Sequence, residues 1–420
     1  MTDPVRASHA KLAAAASARQ AGRRVEELRL LEEAVRLAPA SPQALNARGM
    51  RALNDGDAAT ARDLFASAAA ADPREPALWM NVATAHRRLG DDHGEAAALE
   101  HVLSIDRRHF MGTLRMAELH ERCGRMAAAA PLWSGVVQMA VGDANPPPFV
   151  ADALAHGQAF LAGHNAGLSD ALAAELGADL ANLGLAARRF NACVDYALGR
   201  RAIYINQCHG LHYPFLPADE FFDRAHFPWL ERIEARTDAI RAEAVALLKQ
   251  GGEAIRPYVR QEAGTPQNKW SPLDNSLDWS ACFLWEDGTR NDAVCALCPE
   301  TAAALEEAPR TLIPGKAPSA FFSILAPGAH IPPHTGVTNT RAIIHLPLVV
   351  PDGCRFRVGG ETRPWREGEA FAFDDTIEHE AWNDSASPRI ILIFDVWNPH
   401  LTPEEQALLQ RFYAVSAARG

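Results

Sequence analysis

Five short apolar runs in the C-terminal part of the chain decide its fold class: AFFSIL (320–325), AIIHLPLVV (342–350), FRV (356–358), AFAF (370–373) and IILIFDVW (390–397). The turn residues PG, PDG, GG and EG separate these runs. Apolar runs this short, closed by Gly and Pro, are typical of strands rather than helices. The rhythm predicts an antiparallel all-β unit, either a sandwich or a barrel.

The N-terminal part of the chain carries an internal repeat of 34 residues. It is marked by glycines, by small residues and by prolines: Gly22, Gly56, Gly90 and Gly124; Ala15, Gly49, Ala83 and Ala117; Pro39 and Pro73. A small residue lets two helices approach closely, Gly supplies the left-handed conformation that ends the first helix, and Pro stops the second. The pattern resembles the tetratricopeptide repeat over about residues 7–142 and predicts an α-solenoid with a concave groove. An alanine-rich bundle with accidental spacing is the alternative.

The sequence between these two parts predicts a linker and capping helices. DANPPP (143–148) breaks the helical pattern, and helix-like sequence then resumes and continues to about residue 200. The ends of a solenoid need a polar outer face, which these helices would supply. The predicted organisation is therefore helical repeats in 1–142, linker and capping helices in 143–200, and the β domain in 201–420.

Composition excludes several classes of protein. The 420 residues are 48% hydrophobic and 22% charged, with a net charge of −11, which disfavours nucleic acid as a partner. The chain lacks an apolar stretch of about 18 residues, so no transmembrane helix is expected. Seven scattered cysteines favour a reducing compartment, and the expected location is the cytoplasm. Cys295 and Cys298 form a lone CxxC and are expected to be free thiols in a loop.

Two histidines of the β unit flank strands and are candidates for a metal site. His334 precedes a strand in PPHTGVTNTRAIIHLPLVVP (332–351), and His379 follows one in FDDTIEHEAWNDS (373–385). In a jelly roll such positions can meet at one end of the barrel, and imidazole suits Fe(II), Cu and Zn alike. The usual non-haem iron triad adds a carboxylate, but the matching position is Gly336, which cannot bind a metal. Spacing alone leaves a metal pair and two structural histidines both open.

The sequence around these histidines closely resembles the aspartyl/asparaginyl β-hydroxylase family of 2-oxoglutarate oxygenases. The matching stretch runs from Ser323 to Pro403 and contains FSILAPGAHIPPHTGVTNTR, EGEAFAFDDTIEHEAWNDS and ILIFDVWNPHLTPEE. That family has HxG in place of HxD, in agreement with Gly336. The resemblance implies a double-stranded β-helix, or cupin-like jelly roll, in which His334 and His379 bind Fe(II) and are the catalytic residues.

The same resemblance implies the other site residues. Arg389 takes the place of the arginine that binds 2-oxoglutarate, assisted by Ser323, and His345 matches a histidine near the metal-binding end of this co-substrate. A guanidinium suits bidentate binding of a carboxylate. Arg341 matches an arginine near the substrate carboxylate, whereas the second arginine that the family often shows is Ile343 here, which puts strict Asp specificity in doubt. Surface charges for the two arginines and a structural role for His345 are the alternatives.

The implied activity is hydroxylation of an aspartyl/asparaginyl or other amino-acid side chain, with Fe(II), 2-oxoglutarate and O2. Because solenoids often hold extended peptides, a peptide or protein substrate is expected in the repeat groove. Relatives also hydroxylate free or carrier-bound amino acids and lipid acyl chains. The alternative class is a repeat scaffold whose cupin has lost catalysis and acts as a binding module. The presence of His334, His379 and Arg389 together favours the enzyme.

Overall fold

The computed structural model describes residues 3–142 and 145–419. Within these ranges the chain divides into two compact units, and the division lies between Arg188 and Arg189. It falls inside the segment predicted to hold the linker and the capping helices. The first two residues of the predicted linker 143–148 lie outside the described residues. The three predicted domain ranges stay a prediction.

The first unit is helical. Its helices are α1 (Pro4–Gln20), α2 (Arg24–Leu37), α3 (Pro42–Asn54), α4 (Ala58–Ala71), α5 (Pro76–Leu89), α6 (Asp92–Ile105), α7 (Phe110–Arg122), α8 (Met126–Ala140) and α9 (Pro148–Leu183). From α1 to α8 they pack in successive pairs. The first helices of three pairs begin at Pro42, Pro76 and Phe110, which keeps the spacing of the sequence repeat. The predicted tetratricopeptide-like solenoid is confirmed.

The residues that mark the repeat have the predicted roles in the structure. Gly90 ends α5 with a φ of 71°, in the left-handed region that favours glycine. The small residue of the first helix is equally constrained, because a Cβ on Gly49 would lie 2.6 Å from the ring of Phe65 in α4. The residues that recur in the sequence are therefore those that the turns and the packing of the helices require.

Helix α9 is a single helix of 36 residues. Its buried residues are Ala153 and Gly157, and a Cβ on Gly157 would come within 3.0 Å of Trp133 in α8. The first half of α9 thus covers the last repeat, as a capping helix does. No helix in the described ranges is long and apolar enough to cross a membrane.

A buried ion network ties α6 to α7. The Glu95 side chain is fully buried and accepts from Arg115 Nη2 at 3.0 Å and from Arg122 Nη2 at 2.8 Å. Arg115 is also largely buried, and its Nη1 donates to Thr84 Oγ1 at 2.7 Å. The guanidinium of Arg115 therefore depends on Glu95 for its countercharge.

We expect Glu95→Ala to lower the free energy of unfolding of the helical unit by about 3 kcal/mol, because removing one partner leaves a buried charge uncompensated. Denaturant unfolding followed by far-UV circular dichroism measures this change. Glu118→Ala is the matched control: its carboxylate meets Arg87 at 2.7 Å on the exposed surface, so its loss should cost less than about 1 kcal/mol. Equal effects of the two substitutions would contradict the buried network.

The second unit combines helices with strands. Its helices are α10 (Arg188–Ala197), α11 (Leu230–Glu234), α12 (Thr237–Gln250), α13 (Asp292–Leu297), α14 (Pro299–Glu307) and α15 (Pro403–Ala417). Its strands are β1 (Arg256–Pro257), β2 (Trp279–Glu286), β3 (Thr289–Arg290), β4 (Ala320–Leu325), β5 (His330–His334), β6 (Arg341–Val349), β7 (Cys354–Val358), β8 (Glu361–Pro364), β9 (Phe371–Phe373), β10 (His379–Asn383) and β11 (Arg389–Trp397).

In this unit the described strands form two antiparallel sheets. The larger sheet has the order β1-β2-β4-β11-β6-β9, with β3 on the edge of β2, and the smaller has the order β5-β10-β7-β8. From β4 onward the chain passes repeatedly from one sheet to the other. This connectivity is that of a double-stranded β-helix, so the predicted jelly-roll fold is confirmed.

The larger sheet has a different apolar layer on each face. Ile344 and Leu346 of β6 point to a core shared with α12 and α14. Alternate residues of the sheet, such as Ile391, pack with Phe356 of the smaller sheet. Cys295 and Cys298 are free thiols, as predicted, but both are buried in the helix-side core, and Cys295 lies in α13 rather than in a loop.

Candidate functional site

The two candidate metal ligands meet inside the jelly roll. His334 is the last residue of β5 and His379 the first residue of β10, and the two are paired across the antiparallel ladder. Opposed residues of such a pair project from the same face, and the ring centroids lie 4.0 Å apart. The structure therefore brings together two histidines that are far apart in sequence.

Hydrogen bonds fix the orientation of both imidazoles. His334 Nδ1 lies 2.8 Å from the Pro332 carbonyl, and His379 Nδ1 lies 3.0 Å from the Ile377 carbonyl. A carbonyl oxygen only accepts, so each Nδ1 carries the proton and each Nε2 keeps its lone pair. Backbone anchoring of this kind is how metal-binding histidines are commonly oriented.

Burial keeps both rings neutral. It lowers the pKa of His334 to about 4 and lowers the pKa of His379 well below its usual value, where the neighbouring His334 acts in the same direction. Neutral imidazole is the form that binds a metal ion. Near pH 7 both nitrogens are therefore available as ligands.

We expect the metal-free protein to lose stability as the pH falls from about 6.5 towards 4. In that window the unfolded chain protonates His334 but the folded chain does not, so the free energy of unfolding decreases. The measurement is denaturant unfolding at a series of pH values. Between about pH 6.5 and 4, the free energy of unfolding of the His334→Gln protein should fall by roughly 2 kcal/mol less than that of the wild type. Asp375, whose pKa is raised, acts in the opposite direction in both proteins. Parallel curves would contradict a buried neutral His334.

A carboxyl group occupies the space where Gly336 lacks a side chain. A Cβ on Gly336 would lie 2.0 Å from Asp375 Oδ2, so a larger residue would displace that carboxyl. Burial raises the pKa of Asp375 to about 7, against the opposing charge of Arg341. Among the described residues no group of three or more His, Cys, Asp or Glu is arranged to hold a metal. The centre thus offers two histidines with a carboxyl nearby.

Arg389 is a buried cation without a countercharge among the described residues. Its side chain is 1% exposed, its Nη2 donates to Ser323 Oγ at 3.0 Å, and its Nε has no hydrogen-bond partner among the described residues. Burial lowers the pKa of Arg389 to about 10, so it stays charged at neutral pH. An unpaired buried charge is costly, so this geometry indicates a binding site for an anion.

Ser323 is arranged to assist Arg389. Its Oγ accepts from Arg389 and also from Trp279 Nε1 at 3.1 Å. With both lone pairs used, its remaining function is to donate its own proton. Trp365 lies beside the guanidinium, whose Cζ is 5.3 Å from the ring centroid. A guanidinium and a hydroxyl donor together suit a carboxylate.

His345 lies among aromatic rings close to Arg389. Its ring stacks on Trp365 with centroids 5.5 Å apart, and it meets Phe373 edge-on with centroids 4.7 Å apart. Burial and the charge of Arg389 lower its pKa well below the usual value, and its Nδ1 has no partner within the described chain. His345 is therefore a neutral polar group available to a ligand.

One cavity of about 460 Å³ contains every residue predicted for the site. The predicted set lines it together: His334, His379, Arg389, Ser323, His345 and Arg341. Arg341 differs from Arg389 because it forms an ion pair with Asp395 of β11. Its predicted contact with a substrate stays a prediction.

The sequence did not reveal the roles of three further residues. Asp375 fills the space at Gly336, Asp395 neutralises Arg341, and Trp279 holds Ser323. The aspartates look like ordinary turn and strand residues, and only the pairing of β6 with β11 brings Asp395 to Arg341. Trp279 reaches Ser323 because β2 pairs with β4.

Fold and site together define a double-stranded β-helix domain whose interior combines a pair of neutral histidines with a buried site for an anion. Residues 234–399 match the model of the aspartyl/asparaginyl beta-hydroxylase family. The C-terminal part of the chain therefore resembles that family, as the sequence predicts.

Named relatives and solved structures each match part of the chain. Over 172 residues the chain is 40% identical to the human aspartyl/asparaginyl beta-hydroxylase, covering 40% of this chain and 23% of that protein. Over 196 residues it is 35% identical to the ornithine lipid ester-linked acyl 2-hydroxylase of Rhizobium tropici, and the alignment covers 46% of this chain and 66% of that protein. A crystal structure of MamA aligns with 31% of this chain and 77% of its own, at 15% identity and a TM-score of 0.30. The chain thus spans about a quarter of the human relative.

Proposed function

We propose that the second unit is an Fe(II)- and 2-oxoglutarate-dependent dioxygenase that hydroxylates an amino-acid side chain. The observation that carries the proposal is Arg389, a buried cation without a countercharge in the same cavity as the histidine pair. A binding module without catalysis would have no need to bury an unpaired charge beside two neutral imidazoles. The names of the relatives support a hydroxylase.

The donor set fits the proposed metal. His334 and His379 would bind Fe(II) through Nε2, and two protein ligands leave several coordination positions open. Asp375, which fills the space at Gly336, would supply a nearby carboxyl able to accept a hydrogen bond from a bound water. When bound, the iron would supply the oxidising chemistry that couples hydroxylation to conversion of 2-oxoglutarate and O2 into succinate and CO2.

The protein would bind 2-oxoglutarate through the distal carboxylate of this co-substrate. Arg389 offers two nitrogens and Ser323 its hydroxyl proton, both held in place before binding. Such preorganisation lowers the entropic cost of binding. His345 would contact the end nearer the histidine pair. Phe356 and Phe373 form an apolar wall that excludes water from this region.

The proposed substrate is a side chain in a peptide or protein, the peptide is held by the helical repeats, and the expected location is the cytoplasm. Arg341 would lie at the substrate. A free or carrier-bound amino acid is the alternative within the enzyme class. The Rhizobium tropici relative is named for acyl 2-hydroxylation of a lipid, so a lipid acyl chain is a further alternative within the enzyme class.

The test is to load the protein anaerobically with Fe(II) and 2-oxoglutarate, admit O2, and quantify bound iron and succinate. We expect stoichiometric iron and slow succinate formation even without substrate. A peptide pool from the host added to the same mixture should yield products heavier by one oxygen atom. Absence of both iron and succinate would refute the enzyme and favour a non-catalytic binding module.

A further inference from the structure

The charge of Arg341 in the cavity is cancelled within the protein. The side chains of Arg341 and Asp395 are 16% and 3% exposed and form an ion pair, and Asp395 Oδ1 also accepts from the Ser319 N–H at 3.1 Å. This second bond holds the Asp395 carboxylate at the guanidinium. The charge of Arg341 is therefore already neutralised by Asp395, whereas Arg389 has no such partner among the described residues.

A second carboxyl lies nearby without an ion-pair partner among the described residues. Asp375, which fills the space at Gly336, lines the same cavity as the Arg341–Asp395 pair. Within the described lining the cations are Arg341, Arg389 and Lys316, and Lys316 is exposed at the rim. With Arg389 taken by the co-substrate, no buried cation is free for a second anion.

An apolar surface also lines the cavity. Tyr258 stacks on Trp279 with centroids 4.0 Å apart and lies 5.4 Å from Phe321. Ile343 and Ile393 of the larger sheet complete this wall. A group bound here would meet rings and aliphatic carbons, with the ion pair at one side.

From this arrangement we propose that the outer cavity selects an uncharged side chain, of the amide or hydrocarbon class, and rejects a carboxylate. The proposal rests on the proposed function, because it assigns Arg389 to the co-substrate. A substrate carboxylate would lose its hydration and gain only a guanidinium already neutralised by Asp395, with Asp375 close by. An amide loses less hydration and can use the same donors.

The test compares two isosteric probes, N-acetyl-asparagine methylamide and N-acetyl-aspartate methylamide, which differ in side-chain charge. Binding is followed anaerobically by tryptophan fluorescence at saturating Fe(II) and 2-oxoglutarate, because Trp270 and Trp279 line the cavity. We expect the asparagine probe to bind about tenfold more tightly or better. Equal affinity, preference for the aspartate probe, or no binding of either probe would overturn the proposal.

Two substitutions should then shift the preference towards the aspartate probe: Asp395→Asn, which frees the charge of Arg341, and Ile343→Arg, which adds a cation opposite Asp395 in the strand pair. The matched control is Asp384→Asn, whose carboxylate pairs with Arg355 at 2.6 Å on an exposed surface. An aspartate probe that bound at Arg389 instead would not respond to residue 395. If both shifts are absent in folded variants, the proposal fails. Iron binding and succinate formation test the proposed function separately.

Discussion

Replacing His379 with alanine should abolish iron binding and succinate formation, with at least about a thousandfold loss of turnover. With this residue gone, His334 would be the single protein ligand in a centre that has no third one among the described residues. The substitution also removes a ring that packs 4.0 Å from His334. Bound iron, measured by elemental analysis, and succinate, measured after admitting O2, should fall together.

The control for this substitution is His330→Ala. His330 lies on the same strand as His334, but its ring stacks on Trp382 and bonds to Glu380, and His330 is not among the described residues that line the cavity. Iron content and turnover should stay near the wild-type values. Retention of stoichiometric iron by the His379→Ala protein would show that the metal, if any, binds elsewhere.

Replacing Arg389 with methionine should raise the KM for 2-oxoglutarate by about a thousandfold while leaving iron binding intact. Loss of a buried charge that hydrogen-bonds an anionic ligand typically costs several kcal/mol of affinity. Stability should respond in the opposite way, because an apolar side chain removes a desolvated guanidinium that has no countercharge. The metal-free, ligand-free variant should therefore unfold at the same denaturant concentration as the wild type or a higher one.

Arg355→Met provides the comparison. Arg355 lies on the exposed side of the smaller sheet and pairs with Asp384, so neither KM nor stability should change much. An Arg389→Met protein that was strongly destabilised, with an unchanged KM, would mean that Arg389 is a structural cation. That outcome would leave the histidine pair without a co-substrate site.

Much of the fold can be predicted from local features of the sequence. A helix-ending glycine such as Gly90 has the same conformational reason in every repeat, so it recurs every 34 residues. Short apolar runs between Gly and Pro turns predicted the strands. The boundary between the units was harder to predict, because it lies at the start of α10, beyond the 36 residues of α9, in sequence that is helix-like on both sides.

The candidate site could be predicted where its residues lie in stretches of sequence that resemble the family. His334, His379 and Arg389 each occupy a distinctive stretch, and all three line one cavity. The burial of Cys295 in a helix was missed, because a CxxC says nothing about which face of a helix it occupies. The ion pair of Arg341 with Asp395 and the packing of Asp375 against Gly336 were missed for a different reason, because both join residues from distant strands and loops.

The sequence by itself determined the repeat, the order of strands and turns, and the identity of the histidines and arginines in the cavity. These depend on backbone preferences and side-chain chemistry that act over a few residues. Only the tertiary structure decided that Arg389 has no countercharge while Arg341 has Asp395, and that Asp375 fills the space at Gly336. Whether a charge is free or neutralised depends on which strands are paired and in which register, and that pairing joins residues far apart in the chain.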